Sequence, residues 1–214
     1  MTGQTTRTLE LAEQDPDTLA RLGGWLFKKR TSIPLPIVLT LLLVPAHWST
    51  LSLSSSAALA GVLVVALGEL LRMWGVHHIG VISRTRSDRL GPLIDTGPFS
   101  LVRNPLYLGN ILLWLGFSIS ARLIWLAPFI VLLLSVEYHA IVRWEERLLE
   151  SRIGRTYRDY TLRVPRWLPL LRAPVRLHGA APFSWGETLR SERGTLIAIA
   201  AGYVLLEIKE HYWF

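Results

Sequence analysis

The alternation of apolar runs with arginine-bearing connectors restricts this chain more than any other feature. Apolar stretches occupy residues 33–48, 57–76, 106–119 and 123–142, and a shorter one of 14 residues lies at 195–208. A membrane-crossing helix needs about 20 predominantly apolar residues. Lys28, Lys29 and Arg30 precede the first run; Arg84, Arg86, Arg89 and Arg103 lie in the 77–105 connector; residues 143–176 are strongly basic. The other turns are almost uncharged. Basic residues collect on the cytoplasmic side of a membrane, so the N-terminus, the connector and the basic segment are expected there together. The expected fold class is therefore all-α: an integral membrane helical bundle with four or five transmembrane helices and a cytoplasmic cofactor pocket. The short run at 106–119 predicts a tight, tilted hairpin with 123–142. The 195–208 stretch falls short of a full span, leaving a short span, an interfacial helix or a helix packed on the bundle.

Half of the 214 residues are hydrophobic, nine are tryptophan and mean hydropathy is +0.34, too apolar for an ordinary soluble domain. The net charge of +7 would suit nucleic acid. However, the arginines sit between apolar runs, without zinc-finger spacing or a free-standing basic helix, so the charge reads as bilayer-edge charge and no nucleic-acid partner is expected. The absence of cysteine excludes disulfides, thiolate metal sites and a cysteine nucleophile. Residues 1–30 form a polar N-terminal leader without the layout of a cleavable signal peptide.

No glycine-rich dinucleotide fingerprint or Walker loop is present. His77 and His78 are adjacent and so diverge on a helix, and His139 beside Glu137 reads as a helix contact; no metal site is expected. Glu69 and Arg72 share a helical face and form either a pair inside the bundle or a boundary salt bridge without a function. The informative stretch runs from Gly97-Pro98-Phe99 to Arg103-Asn104-Pro105-Leu106-Tyr107-Leu108-Gly109. Pro105 suits a first helical position and Asn104 a cap. The amides of that turn favour an anion, which Arg103 reinforces. Gly109 admits a ligand or another helix to the backbone. Forty residues on, Glu145-Glu146 end the next apolar run. The helix is expected to continue through them, with one glutamate turned inward towards a cation and the other solvated.

These blocks, followed by Gly154-Arg155-Thr156-Tyr157-Arg158-Asp159-Tyr160 and Val164-Pro165, resemble in order and spacing the membrane methyltransferase family. That family includes isoprenylcysteine carboxyl methyltransferases and phospholipid N-methyltransferases. The resemblance covers roughly residues 80–170. It implies a methyltransferase that binds S-adenosyl-L-methionine without a Rossmann domain and acts on a lipid-like or small amphiphilic acceptor. Its site would face the cytoplasm from the cell membrane, within a methyltransferase domain at 31–176 that is followed by an extension at 177–214 with a short apolar helix. By position, Arg84, Leu93, Ile94 and Phe99 would line the cofactor from the connector, and Arg103, Asn104, Pro105, Leu106 and Tyr107 from the helix start. Glu145 would meet the cofactor's ammonium, with Arg143, on another face, as the second candidate catalytic residue. Three positions depart from the pattern: Asn104 replaces histidine, Phe99 replaces tyrosine, and Ile141 stands where the prenylcysteine enzymes place a carboxylate-binding arginine. The last argues against a prenylcysteine acceptor. A lipid reductase using a nicotinamide cofactor and a non-catalytic membrane scaffold are the alternative readings.

Overall fold

The computed structural model describes residues 18–30, 32–45, 55–80, 93–170, 175–176 and 183–213. Among them the regular structure is helical, without a strand. In chain order the helices are α1 (Thr18–Lys29), α2 (Leu35–Leu43), α3 (Ser55–Ile79), α4 (Pro105–Ser120), α5 (Ala127–Ile153), α6 (Arg155–Arg163) and α7 (Trp185–Trp213). Single 3-10 turns at Gly97–Ser100 and Ile124–Leu126 precede α4 and α5.

Two segments, Ala57–Ile79 and Ile124–Ile153, are long and apolar enough to cross a membrane. Both present outward stripes of large apolar side chains: Leu59, Leu63, Leu67 and Leu70 on α3, and Phe129, Leu132 and Val136 on α5. Helix α4 is apolar but has 16 residues, about 24 Å against a hydrocarbon thickness of about 30 Å. The first apolar run gives only the nine-residue α2, which stops at Val44 in an extended conformation. Val44 precedes Pro45, and a residue before proline is driven out of the helical region. The 195–208 stretch is the interior of the 29-residue α7, with Glu187, Arg190, Glu192 and Arg193 towards one end and Glu207, Lys209 and Glu210 towards the other.

Glycines make the central seam. Gly61, Gly68 and Gly75 recur every seven residues on α3 and face Gly116, Gly109 and Leu106 of α4. A Cβ on Gly68 would lie 2.8 Å from the Gly109 carbonyl oxygen, so the two backbones pack with nothing between them. A seven-residue period keeps small residues on one face, and small residues let membrane helices approach closely. Gly109 thus admits a helix. The α4–α5 hairpin is as tight as expected: Ser118 and Leu123 exchange bonds of 2.7 and 2.9 Å, and Arg122 takes a left-handed φ of 58° to close it.

The N-terminal region differs from a simple leader. Ala20, Gly23 and Phe27 lie on one face of α1 and are buried. The Phe27 ring meets Trp144 of α5 at 5.0 Å, so α1 packs as part of the bundle.

Candidate functional site

The connector before α4 and the chain after α6 are bonded to each other. The Arg103 amide donates to the Pro165 carbonyl (2.9 Å), Leu170 to Leu101 (3.0 Å) and Gly97 to Arg176 (2.9 Å). Arg176 also reaches Asp95 at 3.0 Å. Gly97 has φ 56° and packs its α-carbon on the His78 ring, so a side chain there would be both strained and blocked. Gly154, with φ 64°, turns the chain from α5 into α6. This brings Tyr157 and Tyr160 into a buried cluster with Val164 and Leu93. The Tyr160 hydroxyl donates to the Phe99 carbonyl at 2.8 Å. Burial first, then Glu146 for Tyr157 and Tyr157 for Tyr160, push both phenols above their usual range, so they remain neutral.

Helix α5 does run on through both glutamates, but neither has the role of a solvated partner. Glu146 accepts from Arg103 Nη1 (2.9 Å) and from Arg166 Nε (3.1 Å) and Nη2 (2.6 Å). Its side chain is 13% exposed. The hydrogen bond to Glu146 raises the Arg166 pKa above its ordinary value. Arg103 is therefore committed to Glu146, which corrects the expectation that it serves an anion at the helix start. The Val164-Pro165-Arg166 turn supplies the second cation that draws Glu146 in.

Glu145, one residue and about 100° round the helix, takes the other direction. It accepts from the Tyr107 hydroxyl at 3.1 Å, and the Tyr107 ring lies 4.7 Å from that of Tyr138. Arg30, just past α1, is within electrostatic reach of Glu145. Arg143 precedes Glu145 by two residues, about 200° away, and does not share its face.

Asn104 occupies the cap position of α4 but makes no side-chain cap bond. Its Nδ2 instead donates to the Arg166 carbonyl at 3.1 Å, which corrects the capping expectation: the bond to the chain after α6 orients the side chain, and its oxygen accepts no amide of the first turn. Pro105 is buried at the first helical position. The Leu106 side chain lies against Gly75 of α3, so it makes a helix contact. Phe99 is buried in its 3-10 turn, Leu93 packs on the tyrosine cluster and Ile94 is half-buried beside it in sequence. Arg84 lies outside the described residues.

Below this layer lies a polar group that the sequence only half reveals. Glu69 and Arg72 do pair inside the bundle, at 3.4 Å. Arg72 also reaches Glu192 of α7 (2.5 Å), Thr195 (3.3 Å) and the side-chain oxygen of Asn110. Asn110 follows Tyr107 by three residues and Tyr138 precedes Glu145 by seven, spacings that place each pair on one helical face. The adjacent histidines diverge as expected: His77 stacks on Trp185 at 4.2 Å and His78 meets Thr96 at 3.1 Å. Among the described residues no three histidine or acidic side chains gather as a metal site.

Similarity to known proteins falls on this region. The family model described as phospholipid methyltransferase matches residues 56–156, from the start of α3 to the start of α6. The chain is 29% identical over 154 residues to the nickel-cobalt-cadmium resistance protein NccN of Alcaligenes xylosoxydans xylosoxydans, covering 72% of this chain and 67% of that protein. It is 27% identical over 154 residues to the cobalt-zinc-cadmium resistance protein CzcN of Cupriavidus metallidurans, covering 72% and 66%. The alignments thus span about two thirds of each relative. No solved structure matches the chain. The stretch that carries the helix-start motif, both glutamates and the α5–α6 turn thus lies within the match to the phospholipid methyltransferase family.

Proposed function

We propose that this chain is an integral membrane methyltransferase that uses S-adenosyl-L-methionine and methylates a lipid-like or small amphiphilic acceptor at the cytoplasmic face of the cell membrane. The observation that carries the reading is the Tyr107 and Glu145 pair, set beneath two mutually bonded segments at the end of the family-matched helices.

The residues present fit the cofactor's methionine end. Glu145 takes one hydroxyl donor from Tyr107, and a carboxylate has about four acceptor sites, so it retains capacity for an ammonium. The Asn104 side chain leaves the amides of α4's first turn uncapped, and such amides with the helix dipole favour a carboxylate. When bound, S-adenosyl-L-methionine supplies a methyl group already activated by its sulfonium. The chain must align the acceptor with it and exclude water, an effect that can contribute roughly 7–11 kcal/mol to lowering a barrier. In this reading Glu145 and α4's first turn hold the two ends of the amino-acid group, Tyr107 orients Glu145, and the segments at 93–104 and 164–170 cover the site from water. Ile141 is fully buried in the apolar core. It offers no cation to an acceptor carboxylate, which supports an acceptor other than a prenylcysteine.

The relatives' names speak of resistance to nickel, cobalt, zinc and cadmium. We carry over to this chain only that setting, with methyl transfer as its contribution. Calorimetric titration of the purified full chain with S-adenosyl-L-methionine tests the reading. Glu145→Gln and Tyr107→Ala should each weaken binding about tenfold or more, the value of a hydrogen bond to a charged group. Parent-like affinity in both variants would overturn the assignment.

A further inference from the structure

We propose that Glu192 of α7 is a positioning residue for the Tyr107 and Glu145 pair, acting through Arg72, Asn110 and Tyr138. The functional readout of this inference rests on the cofactor reading above. Glu192 lies outside the matched stretch 56–156, in the C-terminal extension, and nothing in the family resemblance assigns it a role.

The argument begins with the guanidinium. Arg72 is 13% exposed in its side chain, on a helix that is otherwise strongly apolar. A cation in such a place needs partners in defined directions. It has them from three helices: Glu69 on its own helix at Nε, Glu192 and Thr195 of α7 at Nη2, and Asn110 of α4 at Nη1. Because the group is planar with donors in a fixed fork, these contacts fix both its plane and its rotation.

Chemistry then dictates the next two links. Arginine only donates, so it compels Asn110 to present its oxygen and to aim its NH2 elsewhere. That amide lies within polar reach of the Tyr138 hydroxyl on α5. The Tyr138 ring lies against Tyr107, whose hydroxyl donates to Glu145. The series crosses α7, α3, α4 and α5 in turn, then returns to α4 at Tyr107 and ends on α5 at Glu145. Glu192 is 6% exposed and provides the shortest contact to Nη2. Without its charge, Arg72 retains Glu69 as its anion and turns towards it, which frees Asn110 to flip and leaves Tyr138 unsupported. The rest of α7 is well placed to hold Glu192 in register: Tyr203 meets Ser120 at 3.1 Å, and Lys209 donates to the Leu41 carbonyl at 2.7 Å.

The test is a double-variant cycle on the full chain, read by calorimetric affinity for S-adenosyl-L-methionine. Glu192→Gln should weaken binding roughly five- to tenfold, within the range of coupling inside one network. Glu192→Asp should recover most of the loss. In a Tyr107→Phe background Glu192→Gln should have no further effect. Additive losses would make Glu192 a general prop of the fold and overturn the proposal, as would parent-like affinity. If Glu192→Gln does not fold, Asn110→Ala replaces it, with the same loss and the same non-additivity expected. If the parent shows no saturable binding, the cofactor reading fails by itself. The positioning claim is then decided by the near-ultraviolet circular dichroism of the tyrosines, which Glu192→Gln should change in the parent but not in Tyr138→Phe; an unchanged spectrum would refute it.

Discussion

Glu146→Gln isolates what holds the site's two covering segments together. In the parent, one carboxylate receives bonds of 2.9, 3.1 and 2.6 Å from Arg103 and Arg166. The substitution keeps the shape but leaves two guanidiniums facing a neutral amide. Breaking a buried ion pair from one side costs about 3–5 kcal/mol. Arg166 is 31% exposed, against 14% for Arg103, so its share is discounted for solvent, and the expected loss is about 3 kcal/mol. For a chain of this size, that corresponds to a fall of about 6–12 °C in the thermal midpoint. The control is Arg158→Ala, which breaks a 3.8 Å pair with Glu150 whose side chains are 64% and 49% exposed. Such a pair contributes about 0–1 kcal/mol. Differential scanning fluorimetry should separate the two variants clearly, and trypsin should cut Glu146→Gln faster near Arg163 and Arg166. Equal midpoint shifts in the two variants would refute the claim that Glu146 clamps the segments.

Four further outcomes follow from packing, capping and hydrogen bonding. Gly68→Val should destabilise the α3–α4 seam by about 1–3 kcal/mol, the usual cost of overpacking, because its Cβ would sit 2.8 Å from the Gly109 carbonyl oxygen; a parent-like thermal midpoint would contradict the seam. Ser184→Ala should loosen the start of α7 by about 1 kcal/mol, since Ser184 and Glu187 bond each other reciprocally across that turn, and hydrogen exchange in the first turn reports it. The Ser184 amide and hydroxyl lower the Glu187 pKa, so its contribution is present above the ordinary carboxylate value and is lost as pH falls through the lower folded value; protection from exchange, relative to the unfolded chain at the same pH, should fall in acid and not in alkali. Tyr160→Phe should cost about 1–2 kcal/mol by leaving the Phe99 carbonyl without its buried donor, measured as a midpoint shift.

The longer apolar helices and the order of the site's blocks were legible because each depends on local chemistry. Pro105 marks a helix start wherever it lies, Gly154 with its positive φ marks the break between α5 and α6, and the Ser118 to Arg122 turn forces a hairpin. The choice between Glu145 and Glu146 was half legible. Adjacent residues point about 100° apart, but which one meets arginine depends on Arg166, brought back by a reversal 20 residues away. Asn104 was misread for the same reason, since a cap is predicted from neighbours and its actual acceptor is 62 residues off. The Ser184-Trp185-Gly186-Glu187 capping box and the seven-residue glycine period were present in the sequence as local signals. So was the spacing of Ala20, Gly23 and Phe27 that buries α1. The partnership of Arg72 with Glu192, 120 residues apart, left no local signal.

The departures from the family pattern fall where the structure asks least of the altered atom. At position 99 the bond that joins α6 to the connector uses the backbone carbonyl, and the ring fills a buried space. Phenylalanine can do both, so the missing hydroxyl does not open the clamp. At position 104 the side chain donates one bond to a carbonyl. A histidine in that place can donate too, but it titrates near neutral pH, whereas an amide keeps its donor at every pH. The covering segment here is therefore tied by groups that do not ionise in that range at positions 104 and 160, and by the bonds of Arg103 and Arg166 to Glu146. What remains adjustable is the inner face, where Tyr107 and Tyr138 meet at 4.7 Å above the Arg72 group. Covering and inner faces thus share α5, which gives Glu146 to the segments flanking α4 and α6 and Tyr138 to the contact with α4.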